Sequence, residues 1–123
     1  MAVRYSAQAV FVAGAVNFNK VMGSICIYLL LVICWAITYE FLQLLTPGSF
    51  NGLDQAIQGS QFDEFVYFSL VTITTLGYGD ITPGNLVAGF FAGMEALVGV
   101  FYIAILVASL VGDFMAHREV AGD

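Results

Sequence analysis

Polar residues are so sparse along this chain that the places where they gather mark out its elements. Positions 21–45 read VMGSICIYLLLVICWAITYEFLQLL, with a single charge, Glu40, near the far end. About 25 residues of helix cross a hydrocarbon core of about 30 Å with some tilt. A second apolar run, 86–115, is about 30 residues long, or about 45 Å of helix, so it must tilt, bend or protrude. Between the two, residues 46–61 carry Pro47-Gly48, Asn51-Gly52 and Gly59-Ser60 as turn signals. Residues 62–73, FDEFVYFSLVTI, form a further apolar stretch too short to span. That length fits a re-entrant or buried half-helix. Asp63 and Glu64 stand in its first turn, where the positive end of a helix dipole favours carboxylates.

The expected class is therefore an all-α membrane protein. Its segments are an N-terminal stretch 1–20, a first helix 21–45, a loop 46–61, a half-helix 62–73, a short 74–80 segment, a second helix 85–116 and a tail 117–123. Arg4 and Lys20 precede the first span, Arg118 follows the second, and the intervening loop has no Lys or Arg. The positive-inside rule then puts both termini in the cytoplasm and the 46–85 region outside, in a multi-pass protein of the cell membrane. Residues 6–16 are mildly apolar and short. Arg4 with Ala13-Gly14-Ala15 suggests a signal peptide, but an interfacial helix, or the remnant of an upstream span, fits the short apolar core better.

Composition narrows the function. Of 123 residues, 60% are apolar, and three basic against nine acidic residues give a net charge of −6. The mean hydropathy of +0.91 lies far above that of a soluble domain. Three basic residues cannot neutralise a phosphate track, so nucleic acid is excluded as a partner. Disorder needs the opposite composition. Cys26 and Cys34 are about 12 Å apart along one helix, too far for a bridge within it, and read as small apolar residues. His117 reads as a solvated or headgroup-level side chain.

Directly after the half-helix the chain reads Thr74-Thr75-Leu76-Gly77-Tyr78-Gly79-Asp80-Ile81-Thr82-Pro83. This resembles the selectivity-filter signature of tetrameric potassium channels, whose common form is T-V-G-Y-G-D, with Leu76 in place of Val. The resemblance extends to the order of parts: outer helix, pore helix, filter, inner helix, as in two-transmembrane bacterial channels. A potassium ion must shed its water in a narrow pore, and rings of backbone carbonyls replace that water. Gly77 and Gly79 permit the dihedrals that other residues resist. The resemblance implies potassium ions held by the carbonyls of Thr75, Leu76, Gly77 and Tyr78, with the Thr75 hydroxyl innermost and Gly79 closing the set. It implies three identical partner subunits, a lipid bilayer, potassium as the permeant ion, no catalysis and no organic cofactor.

Thr74, Asp80, Tyr67, Phe68 and Glu95 are the expected supports of this filter. The Tyr78 ring is expected to pack against Tyr67 and Phe68. In related channels the matching Asp often bonds behind the filter to a Glu or Trp of the pore helix. Here Tyr67, Phe68 and Val71 occupy that region, so the resemblance does not carry that bond over. Glu95, mid-membrane, leaves three readings open. It bonds the pore-helix end at Thr72 or Thr74, or edges an aqueous cavity, or is a protonated acid satisfied by nearby backbone. Gly99 matches the family's inner-helix hinge, while a close helix contact explains a glycine equally well. Helical counting puts Val100, Ile103, Ala104, Val107 and Val111 toward a cavity, with Val107 or Val111 able to close it by dewetting.

Gly77-Tyr78-Gly79-Asp80 also fits the G-x-G-D pattern of intramembrane aspartyl proteases. That chemistry needs a second carboxylate, and the first span has no Asp. The alternatives to a potassium-selective pore are a weakly selective cation channel and a non-conducting membrane subunit. No Arg-rich span is present, so gating is either intrinsic to the pore or supplied by an upstream sensor domain of a longer parent chain. Asp54, Asp63, Glu64 and Asp80 are candidates for concentrating cations at the outer mouth.

Overall fold

Helix is the only regular structure that satisfies every backbone polar group within an apolar segment, and it dominates here. The computed structural model describes residues 18–54 and 60–122. The order is α1 (Phe18–Leu45), β1 (Phe50–Asn51), α2 (Phe62–Ile73), β2 (Thr82–Pro83) and α3 (Leu86–Ala121). α1, and α3 over Leu86–Ala116, are long and apolar enough to cross a membrane. The described residues fall into two compact units, one of 31–100 and one of 18–30 with 101–122.

In the unit 31–100, α1 stops where Pro47 removes a donor and disfavours helix before it. The Thr46 N–H still reaches the Leu42 carbonyl at 2.9 Å. The chain then forms a two-residue antiparallel ladder, Phe50 opposite Pro83 and Asn51 opposite Thr82. Asn85 caps α3, its Oδ1 accepting the Ala88 N–H at 2.8 Å, and its Nδ2 donates to Ser49 Oγ at 3.1 Å. The start of α3 is thus tied to the turn that follows α1. At the start of α2, Ser60 Oγ accepts the Phe62 N–H at 3.2 Å and donates to Glu40 at 2.6 Å. Glu64 accepts the Asp54 N–H at 2.9 Å. Glu40 and Glu64 are therefore occupied in fastening the loop.

The core of this unit is aromatic. Phe50 meets Tyr39, Phe65 and Phe68 edge-on with centroids 5.2–5.3 Å apart, and Tyr39 meets Phe68 at 5.1 Å. One ring from the ladder thereby joins α1 to α2. Ala36, Ile81 and Ala88 complete the buried cluster.

In the second unit, Tyr102 Oη donates to the Ser24 carbonyl at 2.6 Å, and its ring lies 5.4 Å from that of Tyr28. Lys20 is buried and forms an ion pair with Asp113. Hydropathy treats Lys20 as a boundary and starts the first helix at 21, whereas α1 includes it from Phe18, because a paired ammonium is tolerated in a packed helix. Similarly, α3 runs through most of the expected 117–123 tail to Ala121. Charge ends an apolar run but not a helix, and Arg118 in the last turn suits the negative end of the dipole. Residues 1–17 of the expected interfacial segment, and the His117 side chain, lie outside the described residues. Cys26 and Cys34 are free and exposed.

Candidate ion-conducting segment

The segment after α2 owes its shape to a change of backbone handedness at alternate residues. Thr74 closes α2 with φ −82° and ψ −3°, and its hydroxyl donates back to the Leu70 carbonyl at 2.7 Å. Thr75, Gly77 and Gly79 then have φ of +60°, +61° and +81°, while Leu76 and Tyr78 do not share the positive sign. In a regular strand successive carbonyls point to opposite sides. Reversing the sign of φ at every second residue turns alternate peptide planes over, so that carbonyls gather on one side and N–H groups on the other. Two of the three positive positions are glycine, which enters this region freely. Thr75 is β-branched and strained there, by about 1–3 kcal/mol.

Bonds from behind hold that strain in place. The Thr75 N–H donates to the Thr72 carbonyl at 3.0 Å and the Gly77 N–H to the Val71 carbonyl at 3.2 Å. At the far end Tyr67 Oη donates to Asp80 Oδ2 at 2.8 Å, while Oδ1 accepts the Ile81 N–H at 3.0 Å. α2 thus supplies both a backbone and a side-chain anchor. The Tyr67 hydroxyl is the largest influence holding the Asp80 carboxyl below the usual carboxylate range, helped by the Ile81 N–H and opposed by some loss of hydration. Because the pKa is lowered, the stabilisation is full above the ordinary aspartate range and is lost only as pH falls through the depressed value. Tyr67→Phe removes the donor, so the acid limb of ion flux through reconstituted vesicles is expected to move to higher pH. Superimposable acid limbs in variant and parent would rule the bond out as the cause.

Several expected partners are exchanged for others. Tyr78 makes no ring contact with Tyr67 or Phe68 among the described residues, and it is 68% exposed in the chain. Tyr67 is engaged with Asp80, and Phe68 sits in the aromatic core against Tyr39 and Phe50. Leu76 is likewise 57% exposed. Glu95 bonds neither Thr72 nor Thr74, whose hydroxyl is spent on Leu70. Its carboxyl instead meets Tyr39 Oη of α1 and Ser69 Oγ of α2, and its exposure is 0%.

One turn further along α3, Gly99 abuts the end of α2. A Cβ built there falls 2.1 Å from the Ile73 carbonyl oxygen. Ser69 opposite Glu95 and Ile73 opposite Gly99 are each four residues apart, so α2 and α3 run side by side in the same direction at these contacts. Val107 and Val111 belong to the second unit and are exposed in the chain, as are Val100, Ile103 and Ala104.

Tyr39 and Ser69 are functional candidates that the sequence reading passes over. A lone serine in an apolar half-helix is the usable signal, since small hydroxyl side chains commonly link membrane helices.

A family model described as an ion channel matches residues 26–116. The chain is similar to Two-pore potassium channel 3 of Arabidopsis thaliana, 48% identical over 54 residues, 44% of this chain and 12% of that protein. It is also similar to Two pore potassium channel c of Oryza sativa subsp. japonica, 33% identical over 73 residues, 59% of this chain and 16% of the other. Potassium voltage-gated channel protein Shal of Drosophila melanogaster is 33% identical over 64 residues, 50% of this chain and 11% of its own. The chain therefore spans well under two thirds of the length of these relatives.

Proposed function

Because this chain belongs to the ion channel family, which is not a family of enzymes, we propose that it forms a potassium-selective pore. Four copies surround one axis in the membrane, and each supplies the carbonyls of Thr75, Leu76, Gly77 and Tyr78. Four oxygens per layer replace the water of a dehydrated potassium ion, which passes down its electrochemical gradient. The observation that carries this reading is the alternation of dihedral sign at Thr75, Gly77 and Gly79 in a segment pinned to α2. A glycine-containing surface turn has no need of three alternating reversals.

Two further observations support it. Leu76 and Tyr78 leave apolar surface open in the single chain, which neighbouring copies would cover. The C-terminal end of α2 carries the negative end of its dipole, which favours a cation beneath the filter. In this proposal both termini are cytoplasmic. Bending of α3 near Gly99 and closure at Val107 or Val111 regulate the path by dewetting.

Flux from purified protein in liposomes tests the proposal, with potassium and sodium gradients run separately and barium as a blocker. The expected result is potassium flux that barium stops, with little sodium flux. Equal fluxes would replace the proposal with a weakly selective cation pore. A tetramer that carries neither ion would replace it with a non-conducting subunit.

A further inference from the structure

Counting protons around Glu95 separates readings that its position in the sequence leaves open. Three oxygen–oxygen contacts converge there. Tyr39 Oη meets Glu95 Oε2, Ser69 Oγ meets Glu95 Oε1, and Ser69 Oγ also reaches the Val32 carbonyl at 2.9 Å. Each contact needs one proton. Tyr39 and Ser69 have one hydroxyl proton each, and the Val32 carbonyl has none to give. If Glu95 is ionised, two protons serve three contacts, and two lone-pair-bearing oxygens face each other with nothing between them. If Glu95 is protonated, the count closes. Tyr39 donates to Oε2, Oε1 donates to Ser69 Oγ, and Ser69 donates to the Val32 carbonyl.

The surroundings agree. No Lys, Arg or His occurs anywhere between positions 31 and 100, so no cation in this unit faces the carboxyl. From α1 the titratable group facing it is Tyr39, while Glu40 is taken by Ser60 and Cys34 is exposed. From α2 there is none, since Tyr67 bonds Asp80 and the acids of α2 lie in its first turn. α3 has no other ionisable side chain before Tyr102. A buried carboxylate without a counter-charge is far more costly than a buried acid.

We infer that Glu95 works as an un-ionised carboxylic acid and is the positioning residue for the filter. It is the middle of a hydrogen-bonded chain, Tyr39 to Glu95 to Ser69 to Val32, that joins α1, α2 and α3. Its reach to the filter is short. Ser69 lies on the helix whose Val71 and Thr72 carbonyls hold Gly77 and Thr75, and whose Tyr67 holds Asp80. Glu95 in this role orients the conducting segment and does not touch the ion. Its functional half rests on the potassium-pore proposal; its chemical half does not.

The experiment therefore has two arms. In the first, the infrared difference between the parent protein and Glu95→Gln in liposomes at neutral pH is recorded. The parent is expected to show a protonated-acid C=O stretch that the variant lacks. A difference carrying only carboxylate bands overturns the inference, whether or not the protein conducts. In the second arm, potassium and sodium fluxes are compared. Glutamine is neutral and both donates and accepts, so Glu95→Gln is expected to keep the parent's potassium-to-sodium ratio. Ser69→Ala removes the central link and is expected to lower that ratio about tenfold or more. A glutamine variant as impaired as Ser69→Ala overturns the inference, as does a Ser69→Ala channel with the parent's ratio. Absence of flux in the parent itself would count against the pore proposal and leave the infrared result standing.

Discussion

Gly77→Ala is expected to abolish selective potassium flux while leaving the helices folded. Gly77 has φ +61°, and its N–H is committed to the Val71 carbonyl. An L-residue in the left-handed region costs roughly 1–2 kcal/mol. The four copies of the proposed tetramer would together carry about 4–8 kcal/mol. Thr75 already loads the same segment with strain of its own. The cheapest relief is rotation of a peptide plane at position 77, which in the proposed tetramer would take one layer of carbonyls off the axis. The helices do not depend on this layer, because the segment 74–80 is exposed in the chain and contributes nothing to the aromatic core. The check pairs barium-sensitive flux with the helical circular dichroism signal. Undiminished selective flux through Gly77→Ala would mean that the handedness of residue 77 does not matter to conduction.

Gly99→Ala is expected to have the second large effect, on stability and not only on flux. The added carbon would sit 2.1 Å from the Ile73 carbonyl oxygen, 2.7 Å from Ile73 Cγ1 and 3.0 Å from the Ile73 carbonyl carbon. Two of these atoms are backbone at the end of α2, so no rotamer change relieves the clash. α3 must move away from α2. Overpacking of this kind costs about 1–3 kcal/mol or more, which corresponds to a fall in melting temperature of about 5 °C or more. Gly93→Ala on the same helix is the control, since its added carbon meets nothing within 4 Å in the chain. Equal melting temperatures for the two variants would show that α3 is free to shift at Gly99. The spatial reason for glycine stands beside the hinge reading; a helix can both press close at one residue and bend there.

The parts of the fold that depend on local pattern are legible in the sequence. The half-helix expected over 62–73 and α2 at Phe62–Ile73 occupy the same residues, because turn signals before it and the Thr-Thr pair after it bound a short apolar run. The long helices were legible as helices but not as surfaces. Both are apolar on every side, so periodicity gives no face to assign. That is why the sequence alone could not choose Ser69 over Thr72 or Thr74 as the partner of Glu95. Phe68 is a different case: the filter resemblance sets it beside Tyr78, whereas its ring packs against Tyr39 and Phe50. The Tyr67–Asp80 bond was hidden differently. The matching acid of related channels takes a different partner type, and a tyrosine hydroxyl thirteen residues away does the work here. The Lys20–Asp113 pair joins residues 93 positions apart, and no local rule reaches that far.

The chain contains one tryptophan. Trp35 lies with its ring 6.1 Å from Tyr39, which bonds Glu95, and 6.5 Å from Phe91, one turn before Glu95 on α3. Its emission therefore comes from a single known place, and that place adjoins the junction of the three helices. The protein thus holds its own optical probe: events at the Glu95 carboxyl can be followed in unlabelled protein, in lipid, by the colour and lifetime of one indole.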